Sequence, residues 1–342
     1  MKGVLLVNLG SPQSPDVKDV KTYLNEFLMD GNVIDIPYLV RLFLVRGIIV
    51  PNRAKHSASL YKKIWTEEGS PLITNSEKLT LKVKANLSIP LALAMRYGEP
   101  SVKTGFTELK EAGVNEVLVV PLYPQYAMST TRTVMEEVNK VKNKYYPQIK
   151  VSFLPAFYNE KEYIKAMANS IRQTMEENKP DHLLFSYHGI PERHLKKTDP
   201  TGNHCLKTEA CCSTPNKAHH TCYRHQCIQT TELIAKELDL TQGSYSNSYQ
   251  SRLGKDPWMQ PYTTDQIKKL ASEGIKNLAV VTPAFVSDCL ETIEEIGIEA
   301  KEDFLEAGGK SFTRIECLNA SDEWVTVLSK WAENSALFKD AY

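Results

Sequence analysis

His188 sits in a Ser-Tyr-His-Gly-Ile-Pro run, Ser186 to Pro191, that closes an apolar stretch; about a hundred residues on, the chain reads Ser-Asp-Cys-Leu-Glu-Thr-Ile-Glu-Glu, Ser287 to Glu295. Imidazole exchanges its proton near neutral pH, which makes His188 a candidate general base. Carboxylates receive divalent cations and pass protons on. Glu291 and Glu295 are spaced i, i+4 and share one helical face, with Asp288 just before them and Glu294 one step round. Plainer explanations stand beside these. A strand-end histidine can make a structural hydrogen bond, an acidic first turn suits the helix dipole, and Asp288 can serve as a cap. Both runs fall at the carboxyl ends of predicted strands, where open α/β sheets build their sites, and this favours chemistry.

A second concentration of chemistry lies between Cys205 and Cys227. Five of the seven cysteines are there (Cys205, Cys211, Cys212, Cys222 and Cys227), interspersed with His204, His219, His220 and His225. In a reducing compartment such density reads as a metal centre rather than a disulfide framework. Zinc would take four thiolates or a thiolate–imidazole mixture. A [2Fe–2S] cluster needs four thiolates, which remain if one of the adjacent Cys211 and Cys212 is a spectator. No C-x2-C pair is present, and the residues leave both metals open. A structural or sensing role fits better than electron transfer.

Aromatic residues gather at strand ends: Tyr123 and Tyr126, Phe285, and Trp258 in a proline-rich loop. They are candidates for the wall of an apolar slot, with core packing as the alternative. Ser129, Thr130 and Arg96 are candidate carboxylate holders that could equally cap helices or pair on the surface.

These groups must be positioned by alternating strands and helices. Strands are predicted over 4–9, 91–97, 116–122, 150–154, 182–187, 245–250, 277–282 and 314–317. Helices are predicted over 102–112, 131–144, 160–177, 227–238, 264–272 and 290–307. Such alternation gives parallel sheets covered on both faces. The halves also echo each other. Residues 4–12 align without a gap on 183–191, and 113–120 on 274–281, which points to a duplicated doubly wound unit. In that alignment His188 falls opposite Leu9, so the two halves are chemically unequal. No G-x-G-x-x-G or P-loop run accompanies the strands, which argues against a nucleotide enzyme.

The 342 residues suffice for two cores, 42% are hydrophobic, and the formal net charge is zero. Disorder and an electrostatic case for nucleic acid are both disfavoured. The apolar opening residues are too few for a signal peptide and read as a strand and turn. No stretch approaches the roughly 18 apolar residues of a membrane span. Residues 37–51 are apolar with Arg41 and Arg46 interspersed. A core helix is the expected reading; a lip dipping into a membrane surface is the other.

Six blocks, in order and covering nearly the whole chain, resemble ferrochelatase motifs. They are the runs from Val4 to Pro12, Met95 to Tyr97, Pro121 to Tyr126 with Ser129 to Thr131, Leu184 to Gly189, Tyr249 to Gly254 with Pro257 and Trp258, and Thr282 to Thr292. The resemblance implies two Rossmann-like α/β domains of the class II chelatase type, each a four-stranded parallel sheet flanked by helices, with a porphyrin cleft between them. The first domain would be 1–157 joined by a C-terminal helix 320–342, the second 158–319 with a cysteine-rich insertion at 203–227. It implies that His188 takes pyrrole protons, that Glu291 lies opposite, and that Asp288 and Glu295 lie on a metal or proton path. Leu9, Arg96, Tyr97, Tyr126, Ser129, Thr130 and Trp258 would contact the porphyrin. Ser-Asp-Cys-Leu-Glu-Thr replaces the family's common Ser-Asp-His-Ile-Glu-Thr, placing Cys289 where a histidine is usual. Some members carry an internal [2Fe–2S] cluster, so the resemblance favours iron–sulfur over zinc, with Cys205, Cys212, Cys222 and Cys227 as ligands.

The implied reaction is insertion of Fe2+, a substrate, into protoporphyrin IX to give protohaem. Coproporphyrin and sirohydrochlorin are rival rings on the same fold, and a non-catalytic haem- or iron-sensing iron–sulfur protein is the rival of another class. The expected location is the cytoplasm, with peripheral contact at the inner face of a membrane left open. The sequence does not disclose the oligomeric state.

Overall fold

In the computed structural model, residues 1–254 and 256–338 are described. The chain divides into two compact units. The first comprises residues 1–123, 128–155 and the C-terminal segment from 319; the second comprises 124–127 and 156–318.

The first unit is built on four parallel strands, β1 (Lys2–Asn8), β2 (Leu91–Met95), β3 (Glu116–Pro121) and β4 (Lys150–Phe153), in the order β2-β1-β3-β4. The second repeats that order with β5 (His182–His188), β6 (Tyr245–Gln250), β7 (Asn277–Val281) and β8 (Ser311–Arg314), as β6-β5-β7-β8. The sequence echo is thus a structural one. The aligned glycines Gly113 and Gly274 both adopt positive φ at the turns leading into β3 and β7, a conformation that suits a residue without a Cβ.

Helices cover the sheets. In the first unit these include α1 (Val17–Leu28), α2 (residues 38–64), and α3 (residues 128–145, opening with a wide turn over Met128–Arg132). In the second they include α4 (Lys161–Asn178), α5 (Tyr223–Glu237), α6 (Thr263–Ser272) and α7 (residues 291–306). The first ten residues of α7, Glu291–Ala300, are π-helical. The chain then returns to the first unit as α8 (Asp322–Glu333) and a short turn, Ser335–Phe338. The expected helix 320–342 therefore stops at Glu333, and its last four positions, 339–342, lie outside the described residues.

Each unit has its own core. Leu5, Val119, Phe106 and Val134 are buried together in the first, and Leu184, Val280, Ile296 and Phe304 in the second. Burying each such side chain contributes about 1.5–3 kcal/mol.

Two expectations are corrected. Strand β8 lies at Ser311–Arg314, three residues before the predicted 314–317. The helix ends at Glu306, Gly308 and Gly309 follow, and the strand pairs at once, Asn277 opposite Ser311, so the more apolar residues 315–318 continue past the sheet. Residues 37–51 do not form a core helix. Val45 and Val50 of α2 pack against Leu28, but the other side is open, with Leu39 76% and Phe43 71% exposed beside exposed Tyr38, Val40 and Ile48. A helix apolar all round cannot bury every face against one neighbour. Arg41 and Arg46 turn back, donating to the carbonyls of Ile34 and Ile36 and to Asn25 Oδ1. Among the described residues no helix is long and apolar enough to cross a membrane.

Candidate active site

Strand β5 delivers His188 half-buried at its carboxyl end. Its Nδ1 lies 2.6 Å from the carbonyl oxygen of Gly189. A carbonyl only accepts, so Nδ1 carries the hydrogen, and in the neutral ring the lone pair is that of Nε2. Gly189 is held by close approach. A Cβ there would meet the carbonyl oxygen of Gln250 at 2.9 Å, the same oxygen that accepts the Gly189 N–H at 2.8 Å. Trp258 pairs across from Pro191 in a short antiparallel bridge. It is buried, and its indole Nε1 has no hydrogen-bond partner among the described residues.

The start of α7 carries the carboxylates and is tied to the end of β6. Glu295 accepts from the Ser251 amide (2.7 Å), the Ser251 hydroxyl (2.5 Å) and Gln250 Nε2 (3.2 Å). Burial raises its carboxyl above the ordinary value, the neighbouring Glu291 charge adds to that, and the Ser251 bonds and the His188 charge offset only part. Gln250, in register with His188 across β5 and β6, also donates to the Glu291 carbonyl at 2.9 Å and accepts from Ser186 Oγ at 2.8 Å. One amide therefore ties both strands to the first turn of α7. Ser251 has a positive φ of 65°, an uncommon conformation for a non-glycine residue that turns its amide and hydroxyl together onto Glu295.

Asp288 is buried and occupied. It accepts from Arg314 Nη1 at 2.5 Å and Thr292 Oγ1 at 2.7 Å, and Arg314 reaches it because β8 ends there. The Cys289 thiol is buried and hydrogen-bonded to Glu291; burial, followed by the Glu291 charge, pushes it well above the ordinary thiol range. It remains a protonated donor, at the position where the resemblance leads to the expectation of an imidazole.

The other expected contacts divide between the units. In the first, Leu9 packs against the core and Ser129 and Thr130 sit half-buried on the wide turn of α3, the Thr130 hydroxyl without a partner. Arg96 and Tyr97 are engaged. Arg96 pairs with Asp30 and donates to Thr133 Oγ1 (2.7 Å), while fully buried Tyr97 donates its hydroxyl to Asp30 at 3.0 Å. In the second, half-buried Tyr126 has its amide fixed by Gln226 Oε1 at 2.7 Å.

The cysteine segment opens on Asp199, whose carboxylate accepts the amides of Thr201, His204 and Cys205. Thiol interactions centre on Cys222, which is hydrogen-bonded to both Cys205 and Cys212; Cys211 Sγ is 4.0 Å from Cys212 Sγ. Bonds from the Cys212 thiol, the His225 amide and the Cys205 thiol overcome burial and pull the Cys222 thiol down to about 6. His204 and His219 donate to the Cys211 carbonyl and His225 to that of Cys212, with His219 and His225 stacked at 3.6 Å. Cys227 lies further along α5, fully buried and hydrogen-bonded to Tyr223. Among the described residues no three His, Cys, Asp or Glu side chains form a ready metal-ligand group.

Two doubly wound units, with an imidazole and clamped carboxylates at strand ends, define a metal chelatase. SirB from Bacillus subtilis, solved with Fe3+, has the same fold, with a TM-score of 0.54 at 14% identity over 98% of this chain and 97% of that one. The Ferrochelatase family model matches residues 1–336. Ferrochelatases of Pseudomonas syringae pv. syringae and Opitutus terrae are 48% and 45% identical, over 98% and 96% of both chains respectively. The chain belongs to the ferrochelatase family: it is an enzyme of haem biosynthesis, with ferrous iron as its substrate.

Gln250, Ser251 and Tyr223 were not singled out by the sequence. The run Tyr249 to Gly254 marked the first two as part of a motif, but their parts are played through hydrogen bonds that only register reveals.

Proposed function

We propose that the enzyme inserts Fe2+ into protoporphyrin IX, with His188 as the base that takes the pyrrole protons. The observation that carries this is the His188 Nδ1 contact to Gly189, which makes the lone pair of the neutral ring that of Nε2. Two ring N–H bonds break as iron–nitrogen bonds form, and each proton needs an acceptor. Nε2 takes it first, and Glu291 and Glu295 pass it on while drawing iron from its waters. The raised carboxyl of Glu295 suits it to hold a proton in transit. Asp288, neutralised by Arg314, acts as a fixed support of this path rather than a carrier. The unpartnered Trp258 Nε1 and Thr130 hydroxyl are free to meet ring substituents, and Leu9, Tyr126 and Ser129 join them as ring contacts. Arg96 and Tyr97 take part by holding Asp30.

A [2Fe–2S] cluster is the further assignment we make. What supports it is the donor chemistry: Cys205, Cys211, Cys212 and Cys222 are buried thiols near one another, not gathered into a ready ligand group, with Cys222 drawn toward the thiolate while its partners Cys205 and Cys212 are pushed up. Cys211 here takes the place expected of Cys227. Such a cluster would supply a redox-sensitive iron centre to the segment. The exposed apolar face of α2 supports peripheral membrane contact of a cytoplasmic enzyme.

The test is anaerobic iron insertion with protoporphyrin IX, coproporphyrin III and sirohydrochlorin in parallel, for the parent and His188→Ala. Fastest turnover is expected with protoporphyrin, and the variant should lose about a hundredfold or more while still binding the ring. A preference for another ring moves the substrate. Unchanged turnover in the variant removes the base.

A further inference from the structure

Tyr223 and Cys227 are buried polar groups that the steps above leave unused. Tyr223 is the first residue of α5, directly after Cys222, and its hydroxyl donates to the backbone carbonyl of His188 at 2.9 Å. That carbonyl needs a donor. Leu183 and Gly189 send their N–H groups to Ser244, just before β6, and to Gln250 at its end, so by the alternation of a strand the His188 carbonyl faces the β7 side. Pairing with β7 has already stopped, at Phe185 opposite Val281. Tyr223 supplies the bond the ladder lacks, and a buried carbonyl left without one is costly.

Cys227, one turn further along α5, is hydrogen-bonded to the same hydroxyl. The Tyr223 hydroxyl has one hydrogen, which goes to the His188 carbonyl, so a Cys227 S–H beside it meets the phenolic oxygen as a donor. The next carbonyl, that of Gly189, is the one that fixes Nδ1–H of the imidazole. Holding the first peptide plane limits where the second carbonyl, across the dihedrals of Gly189, can point, and so helps to orient the ring.

We propose that Tyr223, backed by Cys227, is the positioning residue of His188. It orients the base through the main chain and joins the cysteine-rich segment to it. The inference rests on His188 being the base.

Its test compares Tyr223→Phe, Cys227→Ser and Cys227→Ala with Tyr187→Phe, which loses an equally buried hydroxyl bonded to Thr231 at 2.8 Å rather than to the His188 carbonyl. Tyr223→Phe is expected to lower kcat about tenfold. KM for porphyrin and for iron should stay within about twofold, and the acidic limb of the pH–rate profile should move by about half a unit or more. Cys227→Ser, which can still donate, should behave as the parent, and Cys227→Ala should show part of the Tyr223→Phe effect. Tyr187→Phe should lower the melting temperature without moving the profile. Parental kcat and profile in Tyr223→Phe, with His188→Ala inactive, overturns the positioning role and leaves the base standing. An unmoved profile with equal losses in Tyr223→Phe and Tyr187→Phe makes the residue merely structural and also overturns it. Should Tyr223→Phe not fold, Cys227→Ala decides by the same profile. Full activity in His188→Ala overturns the base reading and this inference with it.

Discussion

At the scale of single residues, the clearest contrast is between Cys222 and Cys227, two buried thiols five positions apart. Cys222 touches other sulfurs and is drawn toward the thiolate, whereas Cys227 touches a phenol and is pushed well above the ordinary thiol range by burial, the Tyr223 bond and its other interactions leaving that direction unchanged. Soft metals bind thiolates, so the two should part company on substitution. Cys222→Ser is expected to abolish the visible absorption and most of the bound iron and sulfide of the anaerobically purified protein, and Cys227→Ser to keep both. Loss of colour in Cys227→Ser with retention in Cys211→Ser would restore the ligand set expected from sequence. Residue types and motifs alone make His188, Glu291 and Glu295 conspicuous. Gln250, Ser251 and Tyr223 are silent because they act on main-chain atoms or on a carboxylate distant in sequence, and such partners have no local pattern.

At the scale of elements, periodicity located most strands to within a residue or two, and it failed where burial depends on what lies opposite. β8 was displaced because the apolar residues after Arg314 continue beyond the sheet, although pairing begins at Ser311. α2 was expected in the core because apolar helices usually are. Its partner α1 covers only the Val45 and Val50 side, and no pattern within 37–51 could disclose that the remainder would stay open. That open face yields a prediction. Sedimentation with vesicles of phosphatidylcholine and phosphatidylglycerol should carry the parent down, and Leu39→Glu with Phe43→Glu should weaken binding about tenfold or more, since each side chain withdrawn from an apolar surface forfeits roughly 1.5–3 kcal/mol. Turnover with detergent-dispersed porphyrin should be little changed. Equal sedimentation of parent and variant would separate this face from membranes altogether.

At the scale of the whole molecule, one doubly wound plan is used twice, and the sequence showed this through Gly113 and Gly274 and the strands they introduce. The two copies stabilise themselves differently. The second spends its buried carboxylates on the site, and the first uses them to fasten α1 to the sheet. Glu26, in the last turn of α1, and Asp30, just past its end, line an open cavity of about 550 Å³ with Arg46 and Arg96, yet they shift in opposite directions. Burial raises Glu26, and the Gly98 amide and the Arg96 charge recover only part of it. Burial would raise Asp30 too, but bonds from Thr133 and the Asn32 amide, and then the Arg96 charge, outweigh it and hold the carboxyl below the usual range. The signs follow from linkage. The stability from Asp30 is complete above its unfolded value of about 3.9 and is lost as pH falls through the lower folded value. Glu26, folded above its unfolded value of about 4.3, weakens the fold at neutral pH and ceases to do so as pH falls through that window. The parent should therefore hold or gain stability from pH 7 toward 5 and lose it below about 4. Asp30→Asn, which leaves the buried Arg96 without its counter-ion, should cost about 3 kcal/mol or more at pH 7 and flatten the acid limb. Glu26→Gln should instead flatten the weaker slope above pH 4.3. Urea titrations at a series of pH values read both slopes directly, and an Asp30→Asn curve parallel to that of the parent below pH 4 would show that other carboxylates govern the acid transition.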